Sequence, residues 1–295
     1  MKIKNHSKIC LIISASIMVI ALILTLCGHG INMGIDFEGG LSMEYDMKTA
    51  VDKAEVEKVL AGMDTASYTV TVQGSNDNEA VIRIKDVAQD DIQTLQEAFE
   101  NGIKAVYADA ECVGDVNYVG PVAGATLVKN AILSVVIAAA LMLIYIAIRF
   151  DLNSGLSAVF GLAHDVLMML SFMVILRNVI QMNSSFIAAM LTIVGYSINN
   201  TIVIFDRIRE NAKKMPSAAR EEVTNISIKE CLGRTICTTA TTLITIIALC
   251  VLGVASIREF ALPIIIGILS GVYSANMING YVWAFLEEKR KSRKA

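Results

Sequence analysis

His164 and Asp165 stand side by side in the middle of an apolar run, Leu156–Leu176. At a helical rise of about 1.5 Å per residue, Asp165 lies within about 2 Å of the midplane of any bilayer that this run crosses. A carboxylate there costs about 2.5–3.5 kcal/mol on insertion scales, so it must pair, face a bundle interior or take up a proton. Histidine is the side chain that titrates nearest neutral pH. The pair reads either as a proton carrier or as neutral packing glue that hydrogen-bonds neighbouring helices. Intramembrane ionisable groups are functional by default, which favours the first reading.

A second polar group interrupts the apolar run Phe186–Phe205. Thr192, Tyr196 and the adjacent amides Asn199 and Asn200 recur at three- and four-residue spacing, which predicts one polar stripe on a helix. An amide donates and accepts hydrogen bonds but carries no proton at physiological pH. Arg234 opens the next apolar run, Thr235–Val254, at a depth close to that of Asn200. It reads as a cation facing those amides or as one snorkelling to the interface. Thr235, Thr238, Thr242 and Thr245 extend a hydroxyl face beyond it. Such hydroxyls are tolerated in lipid because each bonds a carbonyl of its own helix.

These residues need helices that cross a membrane, and the composition supplies them. Of 295 residues, 55% are hydrophobic and three are proline; the mean hydropathy of +0.58 is too high for a soluble domain of this length. Six apolar runs approach the roughly 20 residues that span a bilayer: Ile9–Cys27, Ala131–Ile148, Leu156–Leu176, Phe186–Phe205, Thr235–Val254 and Leu262–Leu286. The first follows Lys2, Lys4 and Lys8 and lacks a small-x-small cleavage site, so it reads as a retained signal anchor.

Charge sets the orientation. Residues 30–120 hold 18 acidic and 6 basic side chains, a balance of −12 within a chain of net charge −3. Lys and Arg gather before the first run, within 206–234 and at 289–294. By the positive-inside rule both termini face the cytoplasm and residues of about 30–120 lie outside. The basic segments are topology determinants, not nucleic-acid sites. The six cysteines show neither metal spacing nor a disulfide framework. With no phosphate loop, activated serine or cysteine, or metal cluster, the sequence describes a non-enzyme without a cofactor.

The outer segment reads as an independent α+β module: a strand at Ile35–Met47 broken by Gly39-Gly40, a helix at Ala50–Met63, a hairpin of Tyr68–Val72 and Ala80–Ile84 around the turn 74–78, a helix at Ala88–Asn101 and a last strand at Ala105–Tyr118. That order is the split βαβ, ferredoxin-like one. The resulting plan is a cytoplasmic N-terminus with the first span (1–30), an extracytoplasmic domain (31–121), a five-helix membrane domain (122–288) with a cytoplasmic loop at 206–230, and a basic tail (289–295). Gly120 and Pro121 mark the hinge between domain and membrane, and Asp206, Arg207 and Arg209 the charged exit of the fourth run.

The run Gly195-Tyr-Ser-Ile-Asn199-Asn200-Thr-Ile-Val-Ile-Phe-Asp206-Arg207-Ile-Arg209-Glu-Asn211 resembles the signature of the SecF family of protein-export membrane subunits, in the resistance-nodulation-division superfamily. Gly34–Gly40, Val119-Gly120-Pro121, His164-Asp165-Val166 and Arg234 within Leu232–Thr239 are similar to further motifs of that family, so the resemblance covers nearly the whole chain. It implies a six-helix half that pairs with SecD about an axis along the membrane normal. It also implies assistance to the SecY/SecE/SecG translocon in a bacterial cytoplasmic membrane. Proton or sodium flow would drive an outer domain that pulls emerging unfolded polypeptide outward. His164, Asp165, Asn199, Asn200 and Arg234 would line the ion path. At Asn200 this chain departs from the family's aspartate, a proton carrier, and Arg234 is the arginine that faces it. Two other readings stay open: a non-energised scaffold of the translocon, which Asn200 favours, and half of a lipid or small-molecule exporter.

Overall fold

A computed structural model describes residues 3–63, 67–73, 77–113, 116–178, 180–253 and 255–292. The chain divides into two compact units.

The α+β unit comprises Met33–Leu133 and Gln181–Ser184. Its first residues differ from the expected strand: Ile35–Glu38 is a one-turn helix, α2, and strand β1 begins only at Gly40 and runs to Asp46. The break follows from backbone geometry. Gly39 and Gly40 hold φ of 82° and 132°, and a Cβ on Gly40 would lie 2.3 Å from the Ile84 carbonyl oxygen. β1 then alternates strictly, with Leu41, Met43 and Tyr45 buried. Helix α3 (Lys53–Ala61) starts where the Asp52 carboxylate accepts the Ala54 N–H, an N-cap that satisfies an otherwise orphaned donor. Strands β2 (Tyr68–Gln73) and β3 (Glu79–Ile84) form the expected hairpin in antiparallel register, Val70 opposite Ile82; residues 74–76 of its turn lie outside the described residues.

Helix α4 (Ile92–Val106) runs further than the sequence suggested. In place of one last strand there are two short ones, β4 (Glu111–Cys112) and β5 (Asn117–Val119). The strand order is β2-β3-β1-β4, with β5 also pairing β1, and every pairing is antiparallel. Leu41, Met43 and Tyr45 pack on Val56 and Leu60 of α3 and on Phe99 and Ile103 of α4. The segment after β5 closes the unit. Helix α5 (Pro121–Arg149) begins with its first turn so close to α2 that a Cβ on Gly124 would lie 2.9 Å from the Phe37 carbonyl oxygen. Gly34 donates to the Met182 carbonyl, and Asp36 accepts from the Ser184 N–H. Gly120 and Pro121 therefore lie inside the α+β unit, which continues to Leu133.

The helical unit holds Met1–Asn32, Ser134–Ile180 and Ser185–Ala295. It includes α1 (Ile3–Leu26), the remainder of α5, α6 (Leu152–Ile175), α7 (Ser184–Lys214), α8 (Arg220–Leu252), α9 (Ala255–Ser274), a π turn (Ala275–Asn279) and α10 (Gly280–Ser292). Among the described residues six helices are long and apolar enough to cross a membrane. Half or more of the apolar window of α6, of α7 and of the α9–α10 span is buried, against 11% for α1 and α8 and 6% for α5. The first three build the interior and the others present apolar surface. Within 206–230 the chain is helical apart from residues 215–219: α7 continues to Lys214 and α8 begins at Arg220. Charges spaced three and four apart hold the α7 extension, Arg207–Glu210 at 2.6 Å and Lys214–Glu210 at 2.6 Å.

In the α+β unit, Asp46 holds a left-handed turn. Its carboxylate accepts the Lys48 backbone N–H at 2.8 Å and the Asn78 amide at 2.8 Å, while Lys48 has φ of 59°. These bonds, the Lys48 backbone one first, hold the Asp46 carboxyl below the usual carboxylate range. A lowered folded value stabilises the turn above the ordinary carboxylate range, and that contribution is lost as pH falls through the folded value. Hydrogen exchange on the full chain should show Lys48 protection constant from about pH 7 to 5 and declining below about pH 4. In Asp46→Asn it should be low throughout; equal protection in the two proteins would refute the assignment.

Candidate functional site

Asp165 is completely buried, and its two oxygens collect four hydrogen bonds among the described residues. His164 Nδ1 lies 2.9 Å from Oδ1, which also accepts from Ser270 Oγ at 2.8 Å. Oδ2 accepts from Ser197 Oγ at 2.5 Å and from Ser274 Oγ at 2.8 Å. Three helices supply these donors: α6 the imidazole, α7 Ser197, α9 the other two serines. Ser270 and Ser274 share a face because four residues make roughly one helical turn. The approach requires the glycine between them, since a Cβ on Gly271 would lie 3.2 Å from that of Ser197. A carboxylate in low dielectric persists only when its lone pairs are occupied. The serine cage meets that demand.

One turn along, the polar column continues. Asn279 donates to Thr201 Oγ1 at 3.0 Å, and it fills the space that Gly161 leaves, where a Cβ would meet its amide at 2.2 Å. Thr201 follows Ser197 by four residues and Gly161 precedes Asp165 by four. Regular helical spacing would place Asn279 away from the Ser270–Ser274 stripe. The π turn adds one residue to the phase, so the residue five after Ser274 continues the inward line.

The two amides of α7 part company. Asn200 is buried, 4% exposed, and its Nδ2 has no hydrogen-bond partner among the described residues; Asn199 and Thr192 are exposed. The single stripe expected from spacing is therefore split, because consecutive helical residues point about 100° apart. Tyr196 turns instead to α8, its hydroxyl 3.3 Å from Thr239 Oγ1 and 3.5 Å from Thr242 Oγ1. Thr235, Thr238, Thr242 and Thr245 each bond a carbonyl four residues back, as the hydroxyl-face argument requires. Arg234 is exposed on α8, and among the described residues it makes no bond to Asn199 or Asn200. Of the two readings of Arg234, the arginine–amide contact is not formed among the described residues, because the Arg234 side of α8 turns outward while Thr235 and Thr239 turn in.

The charged exit is an intramolecular clasp. Asp206 accepts from Arg149 of α5 at 3.0 Å and from Arg209 at 3.1 Å. Arg207 bonds Glu230 of α8 at 2.6 Å, and Asn211 donates to the same carboxylate at 2.7 Å. The clasp joins the ends of three helices. Sequence reading missed Glu230 and Arg149 as partners of the clasp and Ser270 and Ser274 as donors to Asp165. Ser197 and Ser14 carried no signal beyond being hydroxyls inside apolar runs.

Membrane-length helices enclosing an ionisable cluster define a multi-pass membrane protein. Residues 98–289 match the family model described as protein export membrane protein SecD/SecF, C-terminal. The chain is 33% identical over 259 residues to the protein translocase subunit SecF of Rickettsia bellii, covering 88% of this chain and 84% of that one. It is 33% identical over 275 residues to the protein translocase subunit SecDF of Bacillus subtilis, covering 92% of this chain and 36% of the longer protein. The crystal structure of SecDF from Thermus thermophilus superposes with a TM-score of 0.79 at 30% identity, over 96% of this chain and 38% of that one. The chain belongs to the SecD/SecF family of protein export membrane proteins.

The cage makes a quantitative prediction. Ser197→Ala removes one donor to a buried carboxylate and should cost about 1.5–3 kcal/mol, read as a lower unfolding temperature of the purified membrane protein. Thr192→Ala is the control, since that exposed hydroxyl bonds only its own helix at the Ala188 carbonyl. Equal midpoints for the two variants would show that the serine is not holding a charge.

Proposed function

We propose that this chain is a SecF-type accessory subunit of a bacterial protein translocase, working with SecD beside SecY/SecE/SecG in the cytoplasmic membrane. The caged Asp165 carries the reading. A carboxylate taken fully into an apolar bundle and satisfied from three helices is a costly arrangement, and ion pathways are its usual use. The relatives named SecF and SecDF support the role in polypeptide export. SecDF, of which this chain matches little more than a third, supports SecD as its partner. The weakly buried α1, α5 and α8 offer surface for that partner and for lipid. Proton or sodium motive force is the energy source in this reading, with no cofactor. His164 and Asp165 form its centre in this subunit, and Arg234 faces outward toward a carboxylate of SecD.

The acidic α+β unit lies outside the membrane, both termini inside, and the unit engages emerging unfolded polypeptide. Its β1-α3-β2-β3-α4-β4 order, with strands arranged β2-β3-β1-β4, supports the ferredoxin-like assignment; β5 is an addition to that pattern.

Asn200 supports a second reading, a scaffold that conducts nothing. It is a buried amide whose nitrogen has no partner among the described residues, where a titrating carboxylate would serve as a proton carrier. Ion flux separates the two. Vesicles holding this chain with SecD should show proton or sodium flux and gradient-dependent export. Asp165→Asn should abolish most of both while insertion is retained, and Asn200→Asp should alter their pH or sodium dependence. Normal flux and export in Asp165→Asn would remove the energised reading; absent flux in the unaltered pair would establish the scaffold.

A further inference from the structure

The imidazole of His164 is bonded on both sides. Nδ1 faces Asp165, and Nε2 lies 2.8 Å from Ser14 Oγ on α1. Ser14 Oγ lies in turn 3.4 Å from the Tyr273 hydroxyl of α9, which donates to the Cys10 carbonyl of α1 at 2.5 Å. Ser14 is buried and Tyr273 partly so, and the His164 and Tyr273 rings lie 6.1 Å apart.

Counting protons leaves Ser14 two arrangements. A carbonyl only accepts, so the single proton of Tyr273 is committed to Cys10, and the Tyr273 oxygen is free to accept. Asp165 as a carboxylate only accepts, so Nδ1 carries hydrogen. When the imidazole is neutral, Nε2 is an acceptor and takes the Ser14 proton, so Ser14 no longer donates to Tyr273. When one proton from water adds to Nε2, an N–H bond forms there and no other covalent bond changes. Ser14 then accepts from Nε2–H and its own O–H turns to Tyr273. The positive ring is balanced by Asp165. The ionisable groups around the ring and its Tyr273 neighbour are Asp165 on α6, Tyr273 on α9 and the Cys10 thiol on α1, which interacts with Tyr273. From α1 come the Ser14 hydroxyl and Cys10 carbonyl, and from α7 the Ser197 hydroxyl through Asp165.

We propose that Ser14 is a positioning residue whose hydroxyl rotor transmits the protonation state of His164 to the Tyr273–Cys10 junction between α9 and α1. The proposal rests on His164 being the titrating member of the ion path. Protonation completes an unbroken chain of bonds from Asp165 to the α1 backbone, and deprotonation interrupts it at Tyr273. Only 11% of the α1 apolar window is buried, and the hydrogen-bonded chain is a polar tie between this helix and the interior beside its packing on α6. The first span thus becomes a responder to charge at the bundle centre.

Nuclear magnetic resonance of the full chain with SecD in lipid nanodiscs tests the rotor. Ring-¹⁵N histidine and ¹³Cζ tyrosine labels report the two ends. The sequence has three histidines and eight tyrosines, and His164→Gln and Tyr273→Phe assign the signals. On acidification the Tyr273 shift should move with the same midpoint as the His164 nitrogens. In Ser14→Ala, His164 should still titrate while the Tyr273 response loses most of its amplitude, and Ser14→Thr should restore it. Ser16→Ala, whose exposed hydroxyl bonds the Ile12 carbonyl, should leave both signals unchanged. A Tyr273 response that survives in Ser14→Ala, is missing in the unaltered protein, or fails to return with threonine overturns the rotor, as does a His164 that stays in one charge state throughout. Export by Asp165→Asn is read separately. Loss of export with a silent Tyr273 removes only the rotor, and normal export with a coupled Tyr273 removes only the energised function.

Discussion

Burying the Asp165 carboxylate at the centre of an apolar bundle constrains much of the helical unit. Each of its lone pairs must meet a donor, because desolvation of an unpaired charge costs several kcal/mol. Meeting that demand requires α6, α7 and α9 to approach at one level. Close approach in turn requires small residues where the helices cross: Gly271 beside Ser197, and Gly267 against Ile193, where a Cβ would come within 2.2 Å. The glycines and serines of α9 are thus one device, in which glycine admits the neighbouring backbone and serine supplies the donor. Small residues also let membrane helices gain van der Waals contact where lipid gives no hydrophobic drive to associate.

The π turn extends the same logic. Inward-facing residues on a regular α9–α10 helix would rotate off the α6–α7 seam after Ser274. One inserted residue resets the phase and brings Asn279 onto Thr201 and over Gly161. The result is a polar column of at least two levels, with the carboxylate in one and the amide–hydroxyl pair in the next. Asn279 Oδ1, Asn276 Oδ1 and Asn200 Nδ2 are buried without partners among the described residues, so the interior holds unspent hydrogen-bonding capacity as well as a charge.

Charge is managed differently at the ends of the helices. Asp206, Arg207, Arg209 and Glu210 pair with one another or with Arg149, Lys214 and Glu230. These half-exposed pairs each contribute little alone. Together they tie α5, α7 and α8 where their apolar packing ends. In the α+β unit the corresponding role falls to geometry: Gly39 and Gly40 break the chain direction, and Gly124 lets α5 start against α2.

The amino-acid sequence alone determined the six membrane-length segments, since twenty apolar residues in a row allow little else. It also determined the hairpin, through two β-branched runs, and the presence of a costly aspartate at mid-depth. It marked Asn200 as an amide where the resembling family has a carboxylate. Tertiary structure decided how those residues meet. Spacing placed Thr192, Tyr196, Asn199 and Asn200 on one stripe, but helix rotation against α6, α8 and α9 buried Asn200 and exposed Asn199 and Thr192. Ser270 and Ser274 had the right period without a partner in view, because a donor is recognisable only once its acceptor is placed opposite. The π turn was invisible, since its cause lies in matching Asn279 to a gap on another helix. In place of the strand expected at Ile35 there is a helical turn, and β1 starts at Gly40, where a positive φ and the nearby Ile84 carbonyl leave no room for a Cβ. Periodicity along one chain specifies which face is polar, while contacts between segments distant in sequence select which polar atoms become a site.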